Sequence, residues 1–196
     1  MVLHPGKKAI RALGVAESFR PTAKKSTLAG VVLRTDLVVD GFVFGAATVG
    51  GVDATGALLR MYRRLKRRDL NLIMLAGCVI SRYNIVDVDE LARRSGLPIV
   101  CLTYNESGGI EDAIKRHFDH PEVRLESYRR LGARSPVLLR TGHRVYIRTA
   151  GISDSDAKSV LDAFTLQGGV PEPVRLAKLL ARSAPAGRSG ARQTLR

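Results

Sequence analysis

The stretch that decides the fold reads LAGVVLRTDLVVDGFVFGAATVGGVDATGALL and covers residues 28–59. It begins with two apolar segments, Leu28–Arg34 and Val38–Phe44, joined by a link of hairpin length. A glycine pair and Asp53 then precede apolar residues at helical spacing. The stretch therefore predicts two antiparallel strands, a glycine turn, and a helix that begins beside a carboxylate.

Apolar and amphipathic segments alternate along the rest of the chain. The predicted strands are Ala9–Val15, Leu28–Arg34, Val38–Phe44, Leu70–Val79, Pro98–Thr103, Val137–Leu139 and Arg144–Arg148. The predicted helices are Ala54–Arg68, Ile85–Ser95, Ile110–Phe118, Glu122–Leu131, Ser153–Phe164 and Pro171–Ser183. Three leading strands with tight links, followed by strand–helix units, predict a mixed sheet that is antiparallel first and parallel later. This α/β order matches the ribonuclease H-like fold, with a C-terminal α+β extension, better than a doubly wound nucleotide-binding fold.

Length and composition limit the classes of protein that the chain can belong to. Its 196 residues predict a single domain over 1–183 and a basic, disordered tail over 184–196. There is no apolar run long enough to cross a membrane and no signal peptide, so we expect a cytoplasmic protein without membrane contact. Neither the dinucleotide fingerprint nor a phosphate loop occurs, so we expect no dinucleotide cofactor. Cys78 and Cys101 lie in apolar segments and are expected to be buried, reduced thiols.

An excess of basic residues points to a polyanionic partner. Lys and Arg number 32 against 18 acidic residues, a formal charge of +14. Nucleic-acid binding is the function that such an excess favours, although a merely basic protein is the alternative. Within the first predicted helix, arginines recur at the spacing of one helix face: Arg60, Arg63, Arg64 and Arg67. This face either contacts phosphates or is simply solvated.

Several short motifs resemble the endonuclease dU family, an archaeal group related to endonuclease V. They are LGVAES at 13–18, STLAG at 26–30, VDG at 39–41, TVGGVDAT at 48–55, YNIVD at 83–87 and PEPVR at 171–175. The resemblance covers about residues 9 to 183, and its most specific part is the GGVDAT segment. It implies a ribonuclease H-like fold and a nick in nucleic acid, expected to be DNA, at deoxyuridine or another deaminated base. It also implies Mg²⁺ or Mn²⁺ as the cofactor.

Two carboxylates fit the acid positions of such a site. Glu17 closes the first predicted strand and Asp53 lies at the mouth of the first predicted helix, so both are candidate catalytic residues and metal ligands. The alternatives are a surface strand end for Glu17 and a helix cap for Asp53. Ala76 stands where endonuclease V would place an aspartate, and Ala16 precedes Glu17 where some relatives have two aspartates, which weakens the case for a metal site.

Other residues near these carboxylates have two interpretations each. Gly50 and Gly51 either approach a phosphate at a helix N-terminus or form a turn that needs positive φ. Tyr83 follows an apolar strand and either stacks on an extruded base or packs at the rim of the core. Asn84 is predicted to cap the next helix, with Asp87 in its first turn.

Two functions remain open at this point. The first is a divalent-metal endonuclease that acts at deoxyuridine through Glu17 and Asp53. The second is a nucleic-acid-binding protein that has the same fold and lacks the acid at Ala76.

Overall fold

A seven-stranded mixed sheet runs through the structure, a computed structural model that describes residues 10–106 and 108–184. Its strands are β1 (Arg11–Ser18), β2 (Lys25–Arg34), β3 (Val39–Thr48), β4 (Leu72–Leu75), β7 (Ile99–Thr103), β8 (Ser135–Leu138) and β9 (Arg144–Ala150), in the spatial order β3-β2-β1-β4-β7-β9-β8. A separate two-stranded hairpin consists of β5 (Val79–Ile80) and β6 (Asn84–Ile85). The helices are α1 (Ala54–Leu65), α2 (Val88–Ser95), α3 (Glu111–His117), α4 (Glu122–Arg130), α5 (Asp154–Phe164) and α6 (Glu172–Ser183).

The strand directions agree with the order expected from the sequence. The pairs β1–β2 and β2–β3 are antiparallel, whereas β1–β4 and β4–β7 are parallel. The C-terminal strands do not form a separate extension. Instead, β9 pairs antiparallel with β7 and carries β8 at the edge, so both complete the same sheet.

Each face of the sheet is covered by its own set of helices. Leu13 and Val15 of β1 point into a core shared with α1, α2, α3 and α4. Ala12, which has the opposite orientation, points into a second core shared with α5 and α6. Burial on both faces explains why Leu72–Leu75 is entirely apolar. None of the helices in the described part of the chain has the length and apolar composition of a membrane span.

Two predicted helices are each three residues shorter in the structure. Helix α1 ends at Leu65 because Lys66 adopts a left-handed conformation, so Arg67 lies outside the helix. Helix α2 begins at Val88, since the residues that precede it form β6 and a cap. The predicted disordered tail, apart from Ala184, lies outside the described residues, as does Ala9 of the first predicted strand.

The prediction that Asn84 caps α2 is also wrong. Asp87 is the cap, and its carboxylate accepts a hydrogen bond from Glu90 N–H at 2.8 Å. The amide of Asn84 instead serves α1, as described below. Asp87 and Asn84 both precede the helix closely, so their spacing alone could not separate the two roles.

The cysteines are buried as expected, but the prediction of reduced thiols is wrong. Cys78 and Cys101 form a disulfide whose Cα atoms are 6.1 Å apart. The sequence did not reveal this pairing because the two residues belong to different strand segments. They meet only because β4 lies beside β7, with Leu75 opposite Cys101.

The disulfide predicts that the unreduced protein has no free thiol. Alkylation of the denatured chain without reductant should leave both cysteines unmodified, and prior reduction should expose both. Closing a loop across 23 positions stabilises a fold by about 3 kcal/mol, so reduction should also lower the melting temperature. Two reactive thiols in the unreduced, denatured chain would contradict this assignment.

Helix α6 packs directly on the backbone of β1 at Gly14. A Cβ built on Gly14 would lie 2.2 Å from the carbonyl carbon of Pro173, which is backbone and cannot rotate away. Gly14→Ala should therefore destabilise the fold by about 1–3 kcal/mol or more. Thermal unfolding measures the effect, and Gly108→Ala is the matched control because a Cβ there meets no atom within 4 Å. Equal melting temperatures for the two variants would contradict this close packing.

Candidate functional site at the β5–β6 hairpin

Glu17 lies at the carboxyl end of β1, where its side chain meets the turn between β5 and β6. Its Oε1 and Oε2 atoms accept the Ser81 N–H at 2.7 and 2.8 Å, and Oε2 also accepts the Ser81 hydroxyl at 2.6 Å. Ser81 is fully buried. A simple surface strand end would place Glu17 in solvent, so the structure assigns it a specific partner instead.

The turn that Glu17 holds has an unusual backbone. Ser81, Arg82 and Tyr83 all have positive φ, at 46°, 58° and 60°. The left-handed conformation costs a non-glycine residue about 1–2 kcal/mol, and such strain persists only where surrounding contacts enforce it. Here the contacts are the Glu17 carboxylate on the Ser81 N–H and the Gly50 N–H, which donates to Ser81 O at 2.7 Å.

Asp53 binds the other end of the same hairpin. Its Oδ1 accepts the Thr48 N–H at 2.9 Å and the Asn84 side-chain amide at 2.8 Å, while Oδ2 accepts the Thr48 hydroxyl at 2.8 Å. Lys25 Nζ is 3.8 Å from Oδ2. Asp53 occupies the N-cap position of α1 but makes no side-chain capping bond. That bond comes from Asn84, whose Oδ1 accepts the Ala54 N–H at 2.9 Å.

A serine pair lies between the two carboxylates. The Ser81 hydroxyl donates to Glu17 and lies 2.6 Å from the Ser26 hydroxyl, whose single hydrogen is shared between Ser81 and Ala47 O at 3.3 Å. Ala47 directly precedes Thr48, the residue that holds Asp53. The fold thus brings Glu17 and Asp53 to one hydrogen-bonded network at the carboxyl edge of the sheet.

The environments of the two acids move their pKa values in opposite directions. Burial raises the pKa of Glu17 above its ordinary value, and the hydrogen bonds from Ser81 only partly offset this. Burial acts on Asp53 in the same sense, but the hydrogen bonds from Thr48 and Asn84 and the charge of Lys25 outweigh it, so the pKa is lowered. Asp53 is therefore held ionised, whereas Glu17 is the acid that gains a proton more easily.

A small cavity with mainly apolar walls lies beside Glu17. The cavity measures about 10 Å³, close to the lower limit for one water molecule. Apart from Glu17 its lining is apolar and includes Leu58 and Ala76. The absent acid at Ala76 therefore leaves an apolar wall next to the carboxylate.

The residues of this site do not fit a preformed divalent-metal centre. Hard cations such as Mg²⁺ need accessible carboxylate oxygens, and pairs of ions need several acids. Within residues 10–106 and 108–184, no three His, Cys, Asp or Glu side chains are grouped so that they could hold an ion. The oxygens of Glu17 and Asp53 are already engaged by Ser81, Thr48 and Asn84.

The glycine turn is fixed from two sides. Gly50 has φ +68°, as a turn requires, and its N–H donates to Ser81 O while the Gly51 N–H donates to Thr48 O at 3.1 Å. Both glycine N–H groups are thus engaged within the protein, and phosphate binding there stays a prediction. On the outer side Gly50 O accepts a hydrogen bond from Arg124.

Arg124 is a residue that the sequence did not single out. Its guanidinium lies 3.7 Å from the centroid of the Phe118 ring, and Phe118 packs edge-on against Tyr83 at 6.0 Å. Tyr83 also contacts the His117 ring at 5.2 Å. Tyr83 therefore packs at the rim of the core within an aromatic cluster, and base stacking by it stays a prediction. No sequence signal marks Arg124, since it reaches Gly50 only through tertiary packing.

The predicted arginine face divides into two parts. Arg60 and Arg63 are exposed on α1, and Arg64 donates to Phe44 O at 3.4 Å. Arg67, beyond the end of the helix, is paired with Asp40 at 2.9 Å and with Asp69 at 2.6 Å. The prediction that Arg67 belongs to the helix face is wrong. The left-handed conformation of Lys66 ends the helix and turns the chain, which brings Arg67 next to the two aspartates.

Comparisons with known proteins decide the family. Residues 8–184 match the family model described as endonuclease dU. The chain belongs to the endonuclease dU family. Two relatives named UPF0215 protein are similar over nearly their full lengths. The relative from Pyrobaculum calidifontis is 42% identical, and the match covers 86% of this chain and 93% of the relative. The relative from Thermococcus kodakarensis is 32% identical, and the match covers 93% of this chain and 96% of the relative.

Solved structures place this endonuclease dU family member in a broader fold group. A protein of unknown function from Archaeoglobus fulgidus is 30% identical, with a TM-score of 0.78 over 91% of this chain and 99% of its own. Endonuclease V from Streptomyces avermitilis is 19% identical, with a TM-score of 0.61 over 89% and 81%. Argonaute from Marinitoga piezophila is 12% identical, with a TM-score of 0.56 over 90% of this chain and 30% of the Argonaute chain. The last two likenesses show that the α/β fold is the ribonuclease H-like one.

The opposite pKa shifts predict opposite pH dependences for two isosteric variants of this endonuclease dU family member. The raised pKa of Glu17 means that its favourable contribution to folding is complete below its ordinary value of 4.5 and is lost as the pH rises through the raised value. Glu17→Gln should therefore become more stable relative to the wild type between pH 4 and 7. The lowered pKa of Asp53 means that its contribution is present above 3.8 and lost in acid.

Asp53→Asn should consequently become less stable relative to the wild type as the pH rises from strong acid to about 4, with little further change above that pH. Urea unfolding followed by circular dichroism at several pH values measures both trends. Slopes of the same sign for the two variants would contradict the environments described for these acids.

Proposed function

We propose that this chain is an endonuclease that cuts DNA at deoxyuridine or another deaminated base. The observation that carries the proposal is the convergence of Glu17 and Asp53, from separate parts of the chain, on one hairpin at the carboxyl edge of the sheet. Ligands of α/β proteins bind at that edge. The membership in the endonuclease dU family and the fold shared with endonuclease V support the same activity.

The partner follows from charge and from the structural relatives. Endonuclease V of Ciona intestinalis, 14% identical with a TM-score of 0.58, has been solved in complex with a DNA that contains an inosine. Inosine carries a deaminated base, and the present chain has a formal charge of +14. The exposed side chains of Arg60, Arg63 and Arg64 begin about 10 Å along α1 from Asp53, a distance that a DNA backbone readily spans.

The two acids have different roles in this proposal. Glu17 lies at the carboxyl edge of the sheet and has a raised pKa, so it is the group suited to accept a proton during hydrolysis. Asp53 stays ionised and holds Thr48 and Asn84, and through Asn84 the first turn of α1. Mg²⁺ or Mn²⁺ is the cofactor that the family implies. Because the residues do not fit a preformed metal centre, no step is assigned to an ion here.

A second candidate is a nucleic-acid-binding protein that does not cut. The observation in its favour is the engagement of both carboxylates by protein donors, together with Ala76 at the cavity wall. A protein of this kind would keep the basic surface and the damaged-base preference but would release its DNA intact.

Nicking of a labelled duplex that contains one deoxyuridine distinguishes the two candidates. The assay is run with Mg²⁺, with Mn²⁺ and with chelator, beside the same duplex with thymidine. We expect a nick near deoxyuridine only, reduced about 100-fold or more in Glu17→Ala because a positioned proton acceptor is lost. Asp53→Ala should be equally impaired, and Glu126→Ala is the control because that acid is exposed on α4.

Three other outcomes of this assay would change the conclusion. Binding of the deoxyuridine duplex without a nick under any condition would support the second candidate. A nick that survives both Glu17→Ala and Asp53→Ala would refute the assignment of these residues. A chain that neither binds nor nicks either duplex would overturn both candidates.

A further inference from the structure

The outer face of β8 and β9 carries aromatic and basic side chains that no helix covers completely. Val145 and Ile147 of β9 point into the core shared with α5, so Arg144, Tyr146 and Arg148 point to the opposite face. Tyr128 of α4 and Arg134, just before β8, border the same area. These five residues, Tyr128, Arg134, Arg144, Tyr146 and Arg148, are called the β9 platform below.

The β9 platform alternates guanidinium groups with aromatic rings. The Arg134 guanidinium lies 5.7 Å from the centroid of Tyr146, and the Arg148 guanidinium lies 5.9 Å from that of Tyr128. Arg148 is held in place, since its Nε and Nη2 donate to Gly132 O at 3.1 and 3.0 Å. The cations are therefore fixed beside flat apolar rings instead of extending freely into solvent.

Two arginines of the platform are not paired with any acid that the structure describes. Arg144 and Arg148 form no ion pair with any residue of the described ranges. Burial lowers the pKa of Arg148, and the nearby charge of Arg134 lowers it further. Arg144 and Arg148 lie on a strand that includes no acid, so a bound anion would stabilise their charges.

The platform lies on the same face and the same edge of the sheet as Glu17. Tyr146 pairs with Thr103 at the carboxyl end of β7, and Glu17 lies at the carboxyl end of β1. Strands β4 and β7 separate β1 from β9. Three strand spacings correspond to about 14 Å, roughly the length of four stacked nucleotides of one strand.

We propose that the β9 platform binds an unpaired strand of nucleic acid. Tyr146 stacks on a base, and Arg144 and Arg148 contact the adjacent phosphates. Alternating aromatic and arginine side chains at the partly exposed end of a sheet are what base stacking and phosphate contact require together. Leu138 and Pro136, exposed on the same face opposite Arg144 and Tyr146, add apolar surface for bases. An acidic protein would satisfy the charges but would leave the rings without flat partners.

The biological role of the β9 platform rests on the proposed function. The strand bound here would be the flank of the damaged base, opened from its complement and led across the sheet toward Glu17. The platform would then select substrates in which the damaged base lies in an unpaired or easily opened segment.

Fluorescence anisotropy with a labelled thymidine-only oligonucleotide, single-stranded and as a duplex, tests the platform without any cleavage. Tyr146→Ala should weaken binding of the single strand about tenfold, the loss of one stacked base, and should affect the duplex less. Tyr146→Phe keeps the ring and should bind like the wild type. Arg144→Gln should weaken binding and lower the salt dependence by about one phosphate contact.

Arg182→Gln is the matched control, because it removes one exposed arginine from α6 on the opposite face of the sheet. Thermal unfolding verifies that each variant is folded. Because Arg144 is exposed, its substitution leaves the core unchanged. Wild-type affinity for the single strand in both Tyr146→Ala and Arg144→Gln, or equal losses in Arg182→Gln, would overturn the proposal.

The result is separate from that of the nicking assay. Loss of single-strand binding in Tyr146→Ala would support the platform even for a protein that never cuts. A protein that nicks at deoxyuridine while its platform variants bind and cut normally would keep the proposed function and refute the platform.

Discussion

The hydrogen bonds from Ser81 to Glu17 are the interaction on which the rest of the site depends. They hold three consecutive residues in the left-handed conformation, which a chain without this partner would leave. Through Ser81 O the same turn fixes Gly50, and through Asn84 it fixes Asp53 and the start of α1. One buried carboxylate thus orders the hairpin, the glycine turn and the second acid together.

The same contacts limit the chemistry of the site. The Glu17 carboxylate accepts both donors of Ser81, the N–H through its two oxygens and the hydroxyl through Oε2, so it has less capacity left for a metal ion. The alanine at position 76 replaces a possible third acid with an apolar wall, and the resulting low polarity raises the pKa of Glu17. Burial therefore favours protonation of Glu17, whereas the hydrogen bonds from Ser81 oppose protonation and occupy the oxygens that a cation would need.

Basic residues lie at two places on one face of the sheet, where the proposed contacts with nucleic acid would be made. Arg60 and Arg63 extend from α1, and Arg144 and Arg148 lie on the platform three strands away from β1, with the two acids of the site between. Arg67 shows why a basic spacing is not enough to assign such a role. It has the period of the helix face, yet it binds Asp40 and Asp69 because the helix ends before it.

Residue spacing and apolar periodicity predicted the antiparallel pairing of the first three strands, the helix between β3 and β4, and the position of Glu17 and Asp53 at element ends. These are local properties, because hydrophobic period and turn composition depend on neighbouring residues alone. Tertiary structure decided which groups meet across the chain. It joined Cys78 to Cys101, gave the capping role at α1 to Asn84, placed Arg124 on Gly50, and bound both acids to one strained hairpin. No local pattern encodes these contacts, since each pairs residues that are distant in sequence and become neighbours only when the strands assemble.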